Sequence, residues 1–248
     1  WSSDVCSSDL NAKIMQVCNV ADLAEGFGRR VRDTIWSEDY QELFPGTTVS
    51  KDARAARRWI TSEGGSYYAT GVGGALAGRG ADHLNIDDPH SEQEASRALF
   101  DPKCFDGTYE WYNTGPRQRL QPGGSISLVQ TRWGKNDLTG RIIQQAINNG
   151  SINEWKVFTF PAIMPSGNPL WEEFWSKEEL ERVKRGVRPV AVVGDAVEDR
   201  VVVRPDLDLE DPGFPVQKGG PVELGHVGDS VHFLFERLDR KSTRLNSS

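Results

Sequence analysis

The segment Gly71–Pro89, GVGGALAGRGADHLNIDDP, constrains this chain more than any other. A glycine-rich run feeds a short apolar strand, His83-Leu84-Asn85-Ile86, which ends on the adjacent aspartates Asp87 and Asp88. Two carboxylates at the carboxyl end of a buried strand are costly, because each wants to stay ionised in a low-dielectric place. A divalent cation or a proton-transfer task is the usual compensation. Pro89 cannot donate to a ladder and ends the strand. The same Asp-Asp-Pro string is also good turn chemistry in its own right.

The flanking segments alternate in period. Asn11–Val20 is an apolar, β-leaning run, followed by Ala21–Ile35, where Leu23, Phe27, Val31 and Ile35 recur at helical spacing. Leu43-Phe44-Pro45-Gly46 closes that unit with a Pro-Gly turn. Trp59–Thr70 reads as a hairpin turning at Ser62-Glu63-Gly64-Gly65. Ser91–Leu120 reads mostly as helix with a loop, and Ser125–Gln130 as a strand ending on Thr131-Arg132-Trp133. A helix from Asp137 to about Asn149, stopped by Gly150, precedes a further strand at Trp155–Phe160. This order predicts an α/β fold: a mainly parallel sheet, helices on both faces, and ligands at the strands' carboxyl ends, where Asp87, Asp88 and Thr131 fall.

The strings LAEGFGRRVRD, LFPG, GGSYYATGVGGALAGRGADHLNIDDP, SISLVQTRWGKNDLTGRI and WKVFTFPAI, in that order, resemble the large subunit of a tailed-phage terminase. The resemblance runs from about Asn11 to about Gly186. It implies a P-loop NTPase (RecA-like) sheet, incomplete at its N-terminus, that hydrolyses ATP with Mg²⁺ to drive viral DNA into a procapsid. On that reading Asp87 is the Mg²⁺ ligand of the second nucleotide-binding motif. Asp88 is the general base, standing where the family more often has glutamate, and Thr131 couples hydrolysis to DNA movement. Arg79, in Gly78-Arg79-Gly80, is either an arginine reaching a neighbouring subunit's phosphates or a loop residue stacking on Tyr67 or Tyr68. Implied partners are double-stranded DNA, a portal protein, a small terminase subunit and further copies in a ring. The implied location is the host cytoplasm, as a soluble protein.

Departures are equally informative. No G-x-x-x-x-G-K-[ST] occurs in the chain, so the resemblance implies a phosphate loop upstream of Asn11 and a nuclease half beyond Gly186. Without that loop the chain alone is expected to be inactive. A different class also puts paired carboxylates at strand ends, the metal-dependent nucleases and integrases; they need a third carboxylate, for which Asp137 is nearest, although it also suits a helix N-cap. A third reading is a scaffold remnant without activity.

The margins are expected to be foreign. Residues 1–10 and 240–248 resemble translated sequencing-adapter tails, and neither a signal peptide nor an apolar run of about 20 residues occurs. Residues 187–203 hold 8 valines among 17 residues, followed by alternating acid and leucine. Val190–Val203 reads as two strands and a Gly-Asp turn, and 187–239 as a whole is otherwise a linker to a missing nuclease domain or a shifted reading frame. The formal charge of −7 divides into −2 for 1–10, −2 for 11–186, −6 for 187–239 and +3 for 240–248. The core is nearly neutral, which argues against tight static DNA binding. Its basic clusters, Arg29-Arg30-Arg32 and Arg54-Arg57-Arg58, are either solvated faces or phosphate contacts. Cys6, Cys18 and Cys104 show no CxxC spacing. His83 and His90 flank the aspartates but have no third N/S ligand at metal spacing, and Trp133 reads as core.

Overall fold

The computed structural model describes residues 11–76, 78–98, 100–101, 103–186, 200–201, 222–223 and 230–237. The expected adapter tails, 1–10 and 240–248, and the valine-rich 187–199 lie outside the described residues.

The first alternation of period gives strand β1 (Lys13–Cys18), helix α1 (Ala21–Ile35) and a short α2 (Glu38–Leu43). Strands β2 (Val49–Ala55), β3 (Arg58–Thr61) and β4 (Ser66–Gly71) then form an antiparallel meander. The nine-residue loop 72–80 leads to β5 (Ala81–Asp87), followed by α3 (Glu92–Ala98), α4 (Asp106–Thr114) and β6 (Leu120–Thr131). Helix α5 (Leu138–Asn148), β7 (Trp155–Pro161) and α6 (Lys177–Gly186) follow, with short β8 (Arg200–Val201) and β9 (Val222–Glu223) paired together and β10 (Ser230–Arg237) beyond.

Eight strands make the main sheet, in the order β2-β3-β4-β1-β5-β6-β10-β7. The central run β4-β1-β5-β6 is parallel, and both margins are antiparallel. The expected α/β class and parallel centre are therefore present, and the five strands anticipated from sequence lie in one sheet. Strand β10, inserted between β6 and β7, joins residues 230–237 to the sheet of the core.

Strand alternation sends apolar side chains to both faces, as a sheet covered twice requires. Met15, Val17, Leu84, Ile86, Ile126 and Leu128 meet Tyr112 of α4 and Leu138, Ile142 and Ile143 of α5. On the other face Cys18, Trp59, Tyr67 and Ala69 meet Ala24 and Ile35 of α1. Helix α1 buries only part of the stripe its large residues suggest, Ile35 fully and Phe27 in part. Leu23 and Val31 are exposed, while Ala24 and Gly28 face the sheet. The reason is Tyr67, stacked on its cross-strand neighbour Trp59 with ring centroids 5.0 Å apart. Those two rings need the room that only small residues leave. They also hold the helix, since Tyr67 Oη donates to the Ala24 carbonyl at 3.2 Å and Trp59 Nε1 to the Gly28 carbonyl at 3.1 Å.

Among the described residues, no helix is long and apolar enough to cross a membrane.

Candidate functional site

Parallel pairing brings Gly71, Cys18, Asp87 and Val129 into one row at the carboxyl end of the sheet. Helix α1 leaves β1 toward one face, whereas α4 and α5 pack on the other. The chain thus changes face between β1 and β5, and at such a switch point the connections diverge and leave a crevice. Asn19, Asp87 and Asp88 stand at its lip.

Asp88 is the one non-glycine residue with positive φ among the described residues, at 39°. Its backbone N–H donates to the Val129 carbonyl at 2.9 Å, and its own carbonyl accepts from Asn19 N–H at 3.1 Å. Its Oδ1 accepts from Thr131 N–H at 2.9 Å. Asn19 Nδ2 adds a bond to the Pro89 carbonyl at 3.1 Å. Three strand ends are therefore clamped around a residue in a conformation that L side chains seldom adopt. Asp88 remains exposed, so the second carboxylate oxygen is available to a ligand.

Asp87, beside it, is half-buried. Burial, and then the charge of Asp88, push its carboxyl above the ordinary range, which suits a group that exchanges a proton. Cys18 is fully buried in the same row. Burial pushes its thiol up to about 11 against the hydrogen bond from Gln16, with the charges of Asp87 and Asp88 adding, so it stays neutral. Below the row runs a polar ladder. Asn85 Nδ2 donates to Gln16 Oε1 at 2.6 Å, and His83 lies 2.8 Å from Ser125 Oγ and 3.1 Å from Ser127 Oγ. Burial lowers the His83 pKa, which keeps its ring neutral between the two hydroxyls.

The structure thus brings Asp87, Asp88 and Thr131 together and leaves Arg79 apart. Arg79 lies in the loop before β5, outside the row of strand ends that carries the aspartates. Its guanidinium lies 3.9 Å from the centre of the Tyr68 ring. His90 is also turned away, because its Nε2 accepts from Leu138 N–H at 2.9 Å and its Nδ1 faces Glu94 at 3.5 Å. Burial would raise Glu94, but hydrogen bonds from His90, Ser91 and Thr108 hold its carboxyl low. Asn19 was not singled out by the sequence. Its position immediately after an apolar strand and before a helix was the available signal.

Asp137 is fully buried and committed to structure. It caps α5 by accepting from Gly140 N–H at 2.9 Å, and it takes Arg132 Nε on both oxygens, at 3.1 and 2.8 Å. Trp133 and Gly134 N–H groups fill its remaining capacity.

No family model matches the chain, and no curated protein matches it. Among solved structures, the chain is similar to a mutant of the 16S rRNA (adenine(1408)-N(1))-methyltransferase from Catenulisporales acidiphilia, determined with its cosubstrate SAM. The identity is 11 %, the alignment covers 92 % of this chain and 87 % of that one, and the TM-score is 0.32. A likeness at that level carries no functional argument.

These findings correct the terminase resemblance. No family model and no curated protein matches the chain, terminases included. The ATP-driven packaging motor falls with it, as do ATP and Mg²⁺ as cofactors. The chain carries no phosphate loop, and no group of three His, Cys, Asp or Glu among the described residues could hold a metal ion. Sheet type is shown only as α/β with a parallel centre, not as P-loop. The nuclease alternative fails too, because Asp137, its third carboxylate, is enclosed by Arg132 and backbone N–H groups.

Proposed function

We propose that the chain is the ligand-binding part of an α/β enzyme acting on a small molecule rich in hydroxyl or amino groups, such as a sugar or nucleoside. The crevice between β1 and β5 takes the ligand, with Asp87 and Asp88 accepting its hydrogen bonds and Asp87 taking up a proton. The observation that carries this reading is Asp88, held at φ 39° by hydrogen bonds to Asn19, Val129 and Thr131. Strain of this kind costs on the order of 1–3 kcal/mol and persists where the surroundings over-determine it, most often at ligand clamps and active sites.

Charge narrows the ligand. Two adjacent carboxylates, one already resisting ionisation, repel an anionic group and attract donors or a cation. Ligands in parallel sheets collect outside the carboxyl ends of strands at the switch point, where this pair stands. The test is a thermal-shift screen of nucleosides, monosaccharides, polyamines and dicarboxylates against the full chain and its Asp87→Asn and Asp88→Asn variants. A hydroxylated or cationic ligand should raise the melting temperature of the parent and lose that effect in both variants. Stabilisation by dicarboxylates alone, or equal stabilisation of all three proteins, would refute the reading.

A further inference from the structure

A second cluster is built on β4, two strands from the aspartates of β5, and takes no part in that reading. Tyr68, on β4, is buried, with 8 % of its surface exposed. Arg57, from the turn between β2 and β3, donates from Nη2 to Tyr68 Oη at 3.0 Å, and its guanidinium carbon is 5.5 Å from the ring centre. Arg79, from the loop between β4 and β5, is stacked 3.9 Å from the same centre. Tyr68 Oη in turn donates to the Ala75 carbonyl of that loop at 3.2 Å. One guanidinium therefore sits at the hydroxyl edge of the ring and the other over its face. Neither forms an ion pair with a carboxylate among the described residues.

Two like charges drawn to one ring repel each other, and the cation–π attraction does not neutralise them. An anion between them would. Arg79 is partly exposed and Arg57 is exposed, so an anion can reach both guanidinium groups from solvent. Each guanidinium keeps further N–H donors beyond those used here, arranged as a planar fork that matches phosphoryl oxygens. The neighbouring Arg58 is exposed and adds to the positive field.

We infer that Arg57 and Arg79, mounted on Tyr68, form a binding site for a phosphoryl group. This site is independent of the carboxylate crevice, which selects against anions. The phosphoryl group can belong to a small phosphorylated ligand or to a nucleic-acid backbone, and the chemistry of recognition is shared.

The test is calorimetric titration of the full chain at low ionic strength with inorganic pyrophosphate and, separately, with a short single-stranded oligonucleotide. Saturable binding is expected for at least one probe, weakened about tenfold or more in Arg57→Gln and in Arg79→Gln, the loss expected when a charge-assisted fork is removed. Arg79→Lys, which keeps the charge and the fold but loses the fork, should weaken binding less than Arg79→Gln. Oligonucleotide affinity that exceeds pyrophosphate affinity and falls steeply with salt identifies the backbone as the source, whereas pyrophosphate binding alone identifies a small ligand. Absence of saturable binding to both probes, or binding unchanged in folded Arg57→Gln or Arg79→Lys protein, would overturn the inference. The Asp87→Asn variant should bind both probes as the parent does, so failure of one site is distinguishable from failure of the other.

Discussion

Thr131 N–H donates to Asp88 Oδ1 at 2.9 Å, so the end of β6 fixes the side chain of a residue that leaves β5 in the left-handed region. The bond does two things. It offsets part of the strain at Asp88, and it leaves the second carboxylate oxygen without a hydrogen bond from the strand end.

The two halves of that arrangement separate by substitution. Asp88→Gly removes the side-chain bond but also removes the penalty for φ 39°. Asp88→Ala removes the bond and keeps the penalty, which is about 1–2 kcal/mol for an L residue in that region. Urea denaturation should therefore find Asp88→Ala less stable than Asp88→Gly by roughly 1 kcal/mol or more. Equal stabilities would mean that the backbone at Asp88 is not strained.

Asp87 carries a pH signature. Its folded pKa is raised above 3.8, by burial first and Asp88 second. For a carboxyl raised on folding, the native state holds its proton longer than the unfolded chain does, so stability declines as pH climbs from 3.8 through the folded pKa. Asp87→Asn should accordingly raise the melting temperature at pH 7 relative to the parent, and the difference should close below about pH 3.8. Thermal melts at several pH values check this. A variant less stable than the parent at pH 7 would show that the Asp87 charge is compensated, not strained.

The Arg132–Asp137 pair is a structural joint between β6 and α5. Both side chains are buried, and Asp137 also caps the helix through Gly140. Asp137→Ala leaves a buried guanidinium unpaired and removes the cap, a loss of about 3–5 kcal/mol. Denaturation of the variant should show that cost, and a loss under about 1 kcal/mol would contradict it.

Gly71 sets how closely β4 approaches the start of α1. A Cβ there would lie 2.8 Å from Ala21 N and 3.2 Å from the Val20 carbonyl carbon, both backbone atoms that cannot swing aside. Gly71→Ala should destabilise the protein by about 1–3 kcal/mol, the usual range for overpacking. The measurement is again chemical denaturation.

Much of the scaffold was legible in the sequence, because hydrophobic period dictates which elements can bury a face. Asn11–Val20 became β1, Ala21–Ile35 became α1 with the same bounds, and Asp137 opened α5 as an N-cap. The burial stripe of α1 was legible only in part, at Phe27 and Ile35. Leu23 and Val31 have the right spacing, yet the stacked Trp59 and Tyr67 rings select Ala24 and Gly28 instead, a choice made by tertiary packing. Strand β10 was missed although Val231, Phe233 and Phe235 alternate in sequence. The place of Asp87 and Asp88 at the carboxyl end of a strand was recognisable from the apolar run before them. What they serve was not, since paired carboxylates at a strand end recur across many unrelated α/β chemistries, and the chemistry lives in the site rather than in the motif. The conformation of Asp88 could not be read at all, because its φ is imposed by Asn19, Val129 and Thr131, partners from two other strand ends.

The most direct test of the proposed crevice is a carboxyl-carbon NMR titration of Asp87, followed in the free protein and in the presence of the strongest stabiliser from the ligand screen. The account predicts a midpoint above 3.8 in the free protein, falling when a hydroxylated or cationic ligand donates to the ionised carboxylate. A midpoint at or below 3.8, or one that no stabilising ligand moves, would contradict it.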